Sequence, residues 1–134
     1  MKQKKKLAIA GASGFIGRWF IETYKDDYHI IALSRKKIAP SHSDIEWRTV
    51  DLFSISSSIE ALEGVDYALY LVHSMQPSTR LNQSNFEDTD LLLADNFSRA
   101  AEACSLSHIV YIGGILPKDN LNISKHLQSR YEVE

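Results

Sequence analysis

The sequence predicts an α/β fold, a doubly wound parallel sheet with strands in the order 3-2-1-4-5, from three observations. Short apolar runs of strand length alternate with longer stretches of helical periodicity along the chain. The opening run, Leu7 to Ala10, is apolar throughout, the profile of a strand covered by helices on both faces. It gives way directly to Gly11, Gly14 and Gly17, at the point where a strand would hand over to a helix. Right-handed crossovers then place helices on both sides of one sheet, with the winding direction switching between strands 1 and 4.

The elements follow in order. After strand 1, Phe15 to Lys25 read as a helix with Phe15, Ile16, Trp19 and Phe20 on its inward side. His29 to Ser34 form strand 2, followed by a loop containing Pro40 and several serines. Ile45 to Val50 alternate, as a strand nearer the sheet's edge would. A helix from about Ser56 to Leu62 ends towards Gly64, a C-cap residue. Asp66 to Val72 and His108 to Gly113 are strands 4 and 5. Between them lies the longest helix, about Ser84 to Cys104. Phe86, Leu93, Phe97, Ala100 and Cys104 recur at three- and four-residue steps on one of its faces, which is expected to pack on the sheet. After Pro117 a loop leads to a helix from Ser124, which stops at Glu134 without a cap or a sixth strand. The chain therefore reads as a single domain, residues 1–134, truncated after strand 5 and forming the N-terminal portion of a longer protein.

Composition narrows the function. A length of 134 residues is enough for one domain with a real core, and 44% hydrophobic with 24% charged residues is ordinary for a soluble protein. The net charge of -2 gives no reason to expect nucleic acid as a partner. Lys2 and Lys4 to Lys6 read as a solvated tail ahead of the first strand. The apolar run behind them is too short for a secretory signal, and no stretch approaches the ~18 apolar residues of a membrane span. Cys104 is the single cysteine and cannot form an internal disulfide, which suits a reducing cytoplasm. It reads as a small core residue. No metal site is expected.

The chemistry is concentrated in "GASGFIG". Gly11, Gly14 and Gly17 are spaced G-x-x-G-x-x-G, a weak pattern alone, but here it follows a strand and opens a helix. Gly11 permits the tight turn off the strand, Gly14 lets backbone approach a pyrophosphate, and Gly17 lets the helix pack close to the sheet. The N–H groups at the helix start, including those of Phe15 and Ile16, and the positive end of its dipole then favour phosphate, with Ser13 adding a hydroxyl. The sheet is thus of the Rossmann type, and a dinucleotide is the expected cofactor. At the end of strand 2 stand Ser34, Arg35, Lys36 and Lys37, without the carboxylate that would bind the adenosine ribose of NAD(H). A guanidinium there pairs with a 2′-phosphate, so NADP(H) is favoured over NAD(H). Asp51, after strand 3, is placed either to accept the adenine amino group, with Leu52 packing on the ring, or to cap the following helix.

Together these residues resemble the short-chain dehydrogenase/reductase superfamily on its extended, atypical side. More narrowly, Leu69 to Met75 ("LYLVHSM"), Ile109 to Pro117 ("IVYIGGILP") and His126 to Glu134 ("HLQSRYEVE") resemble the NmrA-like NAD(P)-binding and NAD-dependent epimerase/dehydratase-like members. The resemblance covers essentially the whole chain. It implies that Leu71, Val72 and His73 after strand 4, and Tyr111 to Gly113 at strand 5, line the ribose and nicotinamide side of the cofactor.

The catalytic part departs from the superfamily pattern. Active members carry a Ser or Thr at the end of strand 5 and a Tyr-x-x-x-Lys pair on the next helix, for proton transfer and carbonyl polarisation. Here the strand-5 position reads Gly113-Gly114, with no hydroxyl, and the helix offers His126 and Arg130. His126, Arg130 and His73 are weak catalytic candidates. Two functions follow, beside a third reading of a bare fold fragment whose binding site is incomplete. One is an oxidoreductase or epimerase/dehydratase-like enzyme acting on an unknown small molecule. The other is an NADP(H) sensor or regulator of the NmrA-like kind that binds without turnover. Apolar surface left by the missing segments could support a homodimer.

Overall fold

A computed structural model describes residues 3–39, 43–72 and 86–112. In chain order the elements are β1 (Lys6–Ala10), α1 (Phe15–Tyr24), β2 (His29–Ser34), β3 (Ile45–Thr49), α2 (Ile55–Ala61), β4 (Tyr67–Tyr70), α3 (Phe86–Ala103) and β5 (His108–Tyr111). They form a five-stranded sheet in the order β3-β2-β1-β4-β5, every neighbouring pair parallel, as the strand-helix alternation predicts. The helix from Ser124 and the chain beyond Ile112 lie outside the described residues.

Alternate residues of the strands face two cores. Ala8, Ala10, Ile31, Leu33, Ala68 and Tyr70 pack with Ala61, Leu62, Phe97, Ala100 and Ala101 on the α2/α3 side. Ile9, Ile30, Ala32, Ile45 and Leu69 pack with Ile21 of α1 on the other side. The inner residues of the central strands are apolar because both of their faces are covered. Of the stripe expected on α3, Leu93, Phe97 and Ala100 are buried and Cys104 is half-buried.

One expectation fails. Phe15, Ile16 and Trp19 do not point inward: they are 89%, 45% and 54% exposed. The buried residues of α1 are Gly17 and Ile21, with Phe20 and Tyr24 half-buried beside them. The cause is steric. A Cβ at Gly17 would lie 2.5 Å from the Gly11 carbonyl oxygen, so α1 sits against its own entry loop on the side that has no side chain. Phe15, Ile16 and Trp19, one or two positions away, are thereby turned outward.

Three local devices set the ends of α2. Ser54 caps α2, its Oγ accepting from the Ser57 N–H at 3.2 Å. Arg48 of β3 closes the other end of that helix, its Nη1 donating to the carbonyls of Ala61 and Glu63, each at 2.9 Å. Gly64, just past that end, has φ of +74°, a left-handed value suited to glycine.

Candidate functional site

Because all strands run parallel, every strand ends on the same edge of the sheet. That edge collects Asp51 and Leu52 after β3, Ser34 and Arg35 at β2, the glycine loop after β1, Leu71 and Val72 after β4, and Tyr111 at β5. The winding reverses between β1 and β4, and there the loop and the end of β4 touch. The Leu71 N–H donates to the Ala10 carbonyl at 3.0 Å. A Cβ on Gly11 would lie 3.1 Å from that of Leu71, and Gly11 has φ of +86°. The residue must therefore be glycine on two counts, contact and conformation.

The three glycines differ in what limits them. Gly17 is enclosed by backbone. Gly14 is open: its nearest neighbour for an added Cβ is the Gly11 oxygen at 3.4 Å, ordinary contact. Its own N–H donates to the Gly11 carbonyl at 3.2 Å, closing the turn, and its carbonyl receives the Arg18 N–H at 3.0 Å. As the N-cap of α1 it offers no side-chain bond to the first turn. The N–H groups that open a helix have no intrahelical acceptor, so an end without a side-chain cap has the chemistry to receive an anion. Ser13 and Gly14 are exposed at the same mouth.

On the β2 side, the Ser34 Oγ accepts the Lys36 N–H at 3.1 Å, folding the chain so that Arg35, Lys36 and Lys37 are exposed beyond the strand. On the β3 side, Asp51 does not cap α2; Ser54 does. The Asp51 Oδ1 instead accepts the Phe53 N–H at 3.0 Å, an Asx turn that keeps the exposed carboxylate at the sheet's edge. Leu52 is half-buried against the α2/α3 core, and Phe53 is exposed.

On the β4 and β5 side, Leu71 packs into the α1-side core and Val72 into the opposite one. Tyr111 is half-buried, its ring 6.1 Å from that of Tyr70, so its side chain serves the core. His73, Gly113, His126 and Arg130 lie outside the described residues. Beneath the edge, Tyr70 is buried and its hydroxyl meets no hydrogen-bond partner among the described residues. Burial, then the Asp90 carboxylate and Tyr111, push its phenol far above the usual tyrosine range. Burial also raises the Cys104 thiol, with Glu63 adding to the shift, which keeps the sulfur a neutral packing group. Sequence reading missed Asn96, a buried residue of α3 that donates from Nδ2 to the Leu52 carbonyl at 2.9 Å. Its only signal was an amide within an apolar stripe. Among the described residues no cluster could hold a metal ion, and no helix is long and apolar enough to cross a membrane.

Residues 7–125 match the NAD dependent epimerase/dehydratase family. The chain belongs to that family. Its cofactor class is a nicotinamide dinucleotide, and the open, uncapped mouth of α1 has the chemistry to hold one. Over 113 residues the chain is 30% identical to the auxiliary protein GraX of Staphylococcus aureus (strain NCTC 8325 / PS 47), covering 83% of this chain and 37% of GraX. The fold resembles UDP-N-acetylglucosamine 4-epimerase from Bacillus cereus, with a TM-score of 0.72 and 24% identity over 96% of this chain and 46% of the epimerase. It also resembles a variant of uronate dehydrogenase from Agrobacterium tumefaciens complexed with NAD, with a TM-score of 0.68 and 20% identity over 82% of this chain and 41% of the dehydrogenase. This chain thus spans less than half the length of each of these proteins.

Proposed function

We propose that the chain is the dinucleotide-binding portion of a longer oxidoreductase or epimerase/dehydratase-like protein that prefers NADP(H) to NAD(H). The observation that carries this reading is the open glycine at the uncapped start of α1, beside the crevice between β1 and β4. A phosphate meets N–H donors and a positive dipole end there, with no Cβ in its path. Gly11, Ser13, Gly14, Phe15, Ile16 and Gly17 form the pyrophosphate mouth. Ser34 and Arg35 take the adenosine ribose and its 2′-phosphate. Asp51 and Leu52 take the adenine, and Leu71, Val72, His73, Tyr111 and Gly113 the nicotinamide end. A bound nicotinamide would supply hydride exchange with a small-molecule substrate.

The preference for NADP(H) is supported by chemistry at one strand end. No carboxylate stands at the end of β2 to repel a 2′-phosphate, and Arg35 is exposed there. Calorimetric titration of NADPH and NADH into the unaltered chain and an Arg35→Ala variant tests it. NADPH should bind more tightly, and the variant's NADPH affinity should fall towards the NADH value. Equal affinities in the unaltered chain would refute the preference.

A second reading, an NmrA-like NADP(H) sensor or regulator without turnover, is favoured by a specific absence in the sequence. In the sequence Gly113 and Gly114 stand where the superfamily has Ser or Thr, and His126 and Arg130 where it has Tyr and Lys. GraX, the 30% identical relative, is itself named an auxiliary protein. NADPH binding with no oxidation across aldehydes, ketones and quinones would support the sensor. Turnover abolished by His126→Ala in the full-length protein would support the enzyme.

A further inference from the structure

We propose that Asn96 is the positioning residue that aims the Asp51 carboxylate at the adenine edge of the cofactor, an inference that rests on the dinucleotide reading above. The turn after β3 is closed by local bonds. The Phe53 N–H donates to Asp51 Oδ1 at 3.0 Å, the Ser54 N–H to the Asp51 carbonyl at 3.0 Å, and the Asp51 N–H to Ser57 Oγ at 2.9 Å. These bonds shape the turn without fixing where it sits relative to the rest of the sheet's edge. Asn96, 44 residues away in sequence, ties it to α3 through the 2.9 Å bond to the Leu52 carbonyl.

The choice of carbonyl matters. The oxygen of Leu52 and the N–H of Phe53 belong to one planar peptide unit. Asn96 therefore holds the same peptide plane whose other end grips the carboxylate. Donation into the carbonyl also polarises that N–H, strengthening its bond to Asp51. With Oδ1 engaged, Oδ2 is the acceptor to meet the exocyclic amino group of an adenine.

Packing alone does not explain an amide here. Asn96 is 4% exposed, and its neighbours on the same face of α3, Leu93, Phe97 and Ala100, are apolar. A leucine would fill such a position without the desolvation of a polar group. The amide is sensible because its bond to the Leu52 carbonyl is needed.

The test compares NADPH with its 6-deamino (hypoxanthine) analogue, which lacks the amino group, by calorimetry on the unaltered chain and on Asn96→Leu. The unaltered chain should prefer NADPH by at least about tenfold, the worth of one hydrogen bond to a charged group. In Asn96→Leu that preference should shrink below about threefold. Phe97→Leu, which disturbs the same helix face by packing alone, should lower thermal stability but keep the full preference. Asn96→Ser, with a donor too short to reach, serves as a second variant read in the same way if Asn96→Leu does not fold. Undiminished discrimination in the Asn96 variants overturns the proposal, as does an unaltered chain that binds both ligands equally. Failure of the unaltered chain to bind either ligand overturns the dinucleotide reading itself, and this inference with it.

Discussion

Replacing Gly17 by alanine would put a methyl carbon 2.5 Å from the Gly11 carbonyl oxygen, 2.7 Å from the Ala12 Cα and 2.8 Å from the Ala12 carbonyl oxygen. Comfortable non-bonded separations are about 3.5–4.0 Å, so each contact is short by roughly 1 Å. All three neighbours are backbone, and the loop they belong to is pinned, with Gly11 against Leu71 and its carbonyl holding the Gly14 N–H. Relief therefore requires moving α1 off the sheet. Overpacking of this kind costs about 3 kcal/mol, against a helix-propensity gain of about 1 kcal/mol for alanine over glycine. The net loss of about 2 kcal/mol should lower the melting temperature by about 6–12 °C for a chain of this size. Gly14→Ala is the informative contrast. Its added methyl has ordinary contact only, at 3.4 Å, and its φ of -77° suits alanine. Losing glycine at an N-cap should cost about 0.5–1 kcal/mol, while the methyl obstructs the pyrophosphate. Scanning calorimetry of both variants, with NADPH titration of Gly14→Ala, checks the pair. A Gly17→Ala protein as stable as the unaltered chain would refute the packing argument. A Gly14→Ala protein with undiminished NADPH affinity would refute the proposed binding mouth.

Tyr70→Phe should stabilise the fold by about 1 kcal/mol, because it removes a buried hydroxyl that meets no partner among the described residues. Its effect on pH dependence has a definite sign. The phenol is raised in the folded state, so its contribution is fully present below about pH 10 and is lost as pH rises above that value; alkaline urea titrations of Tyr70→Phe should therefore fall less steeply than those of the unaltered chain. Ser54→Ala removes the α2 cap and should cost about 1 kcal/mol in a urea titration. An unchanged midpoint would show that Ser57 and the turn hold the helix start without it.

The sequence by itself determined the topology. Alternating strands and helices admit few arrangements once crossovers are right-handed, and 3-2-1-4-5 is the order observed. The stripe through Leu93, Phe97 and Ala100 was legible because helical periodicity reports burial directly when side chains do the packing. The same rule misled at α1, where the close approach is made by Gly17, a residue with no side chain to register in the pattern. Which side of that helix faces the sheet was decided by backbone contact in three dimensions. The β3 turn shows the same division. Asp51 could be marked from its neighbours in sequence, but that it does not cap α2, where Ser54 does, was settled only by the fold. The bond from Asn96 to the Leu52 carbonyl joins residues 44 apart, and no local pattern encodes a contact that exists only after α3 has docked.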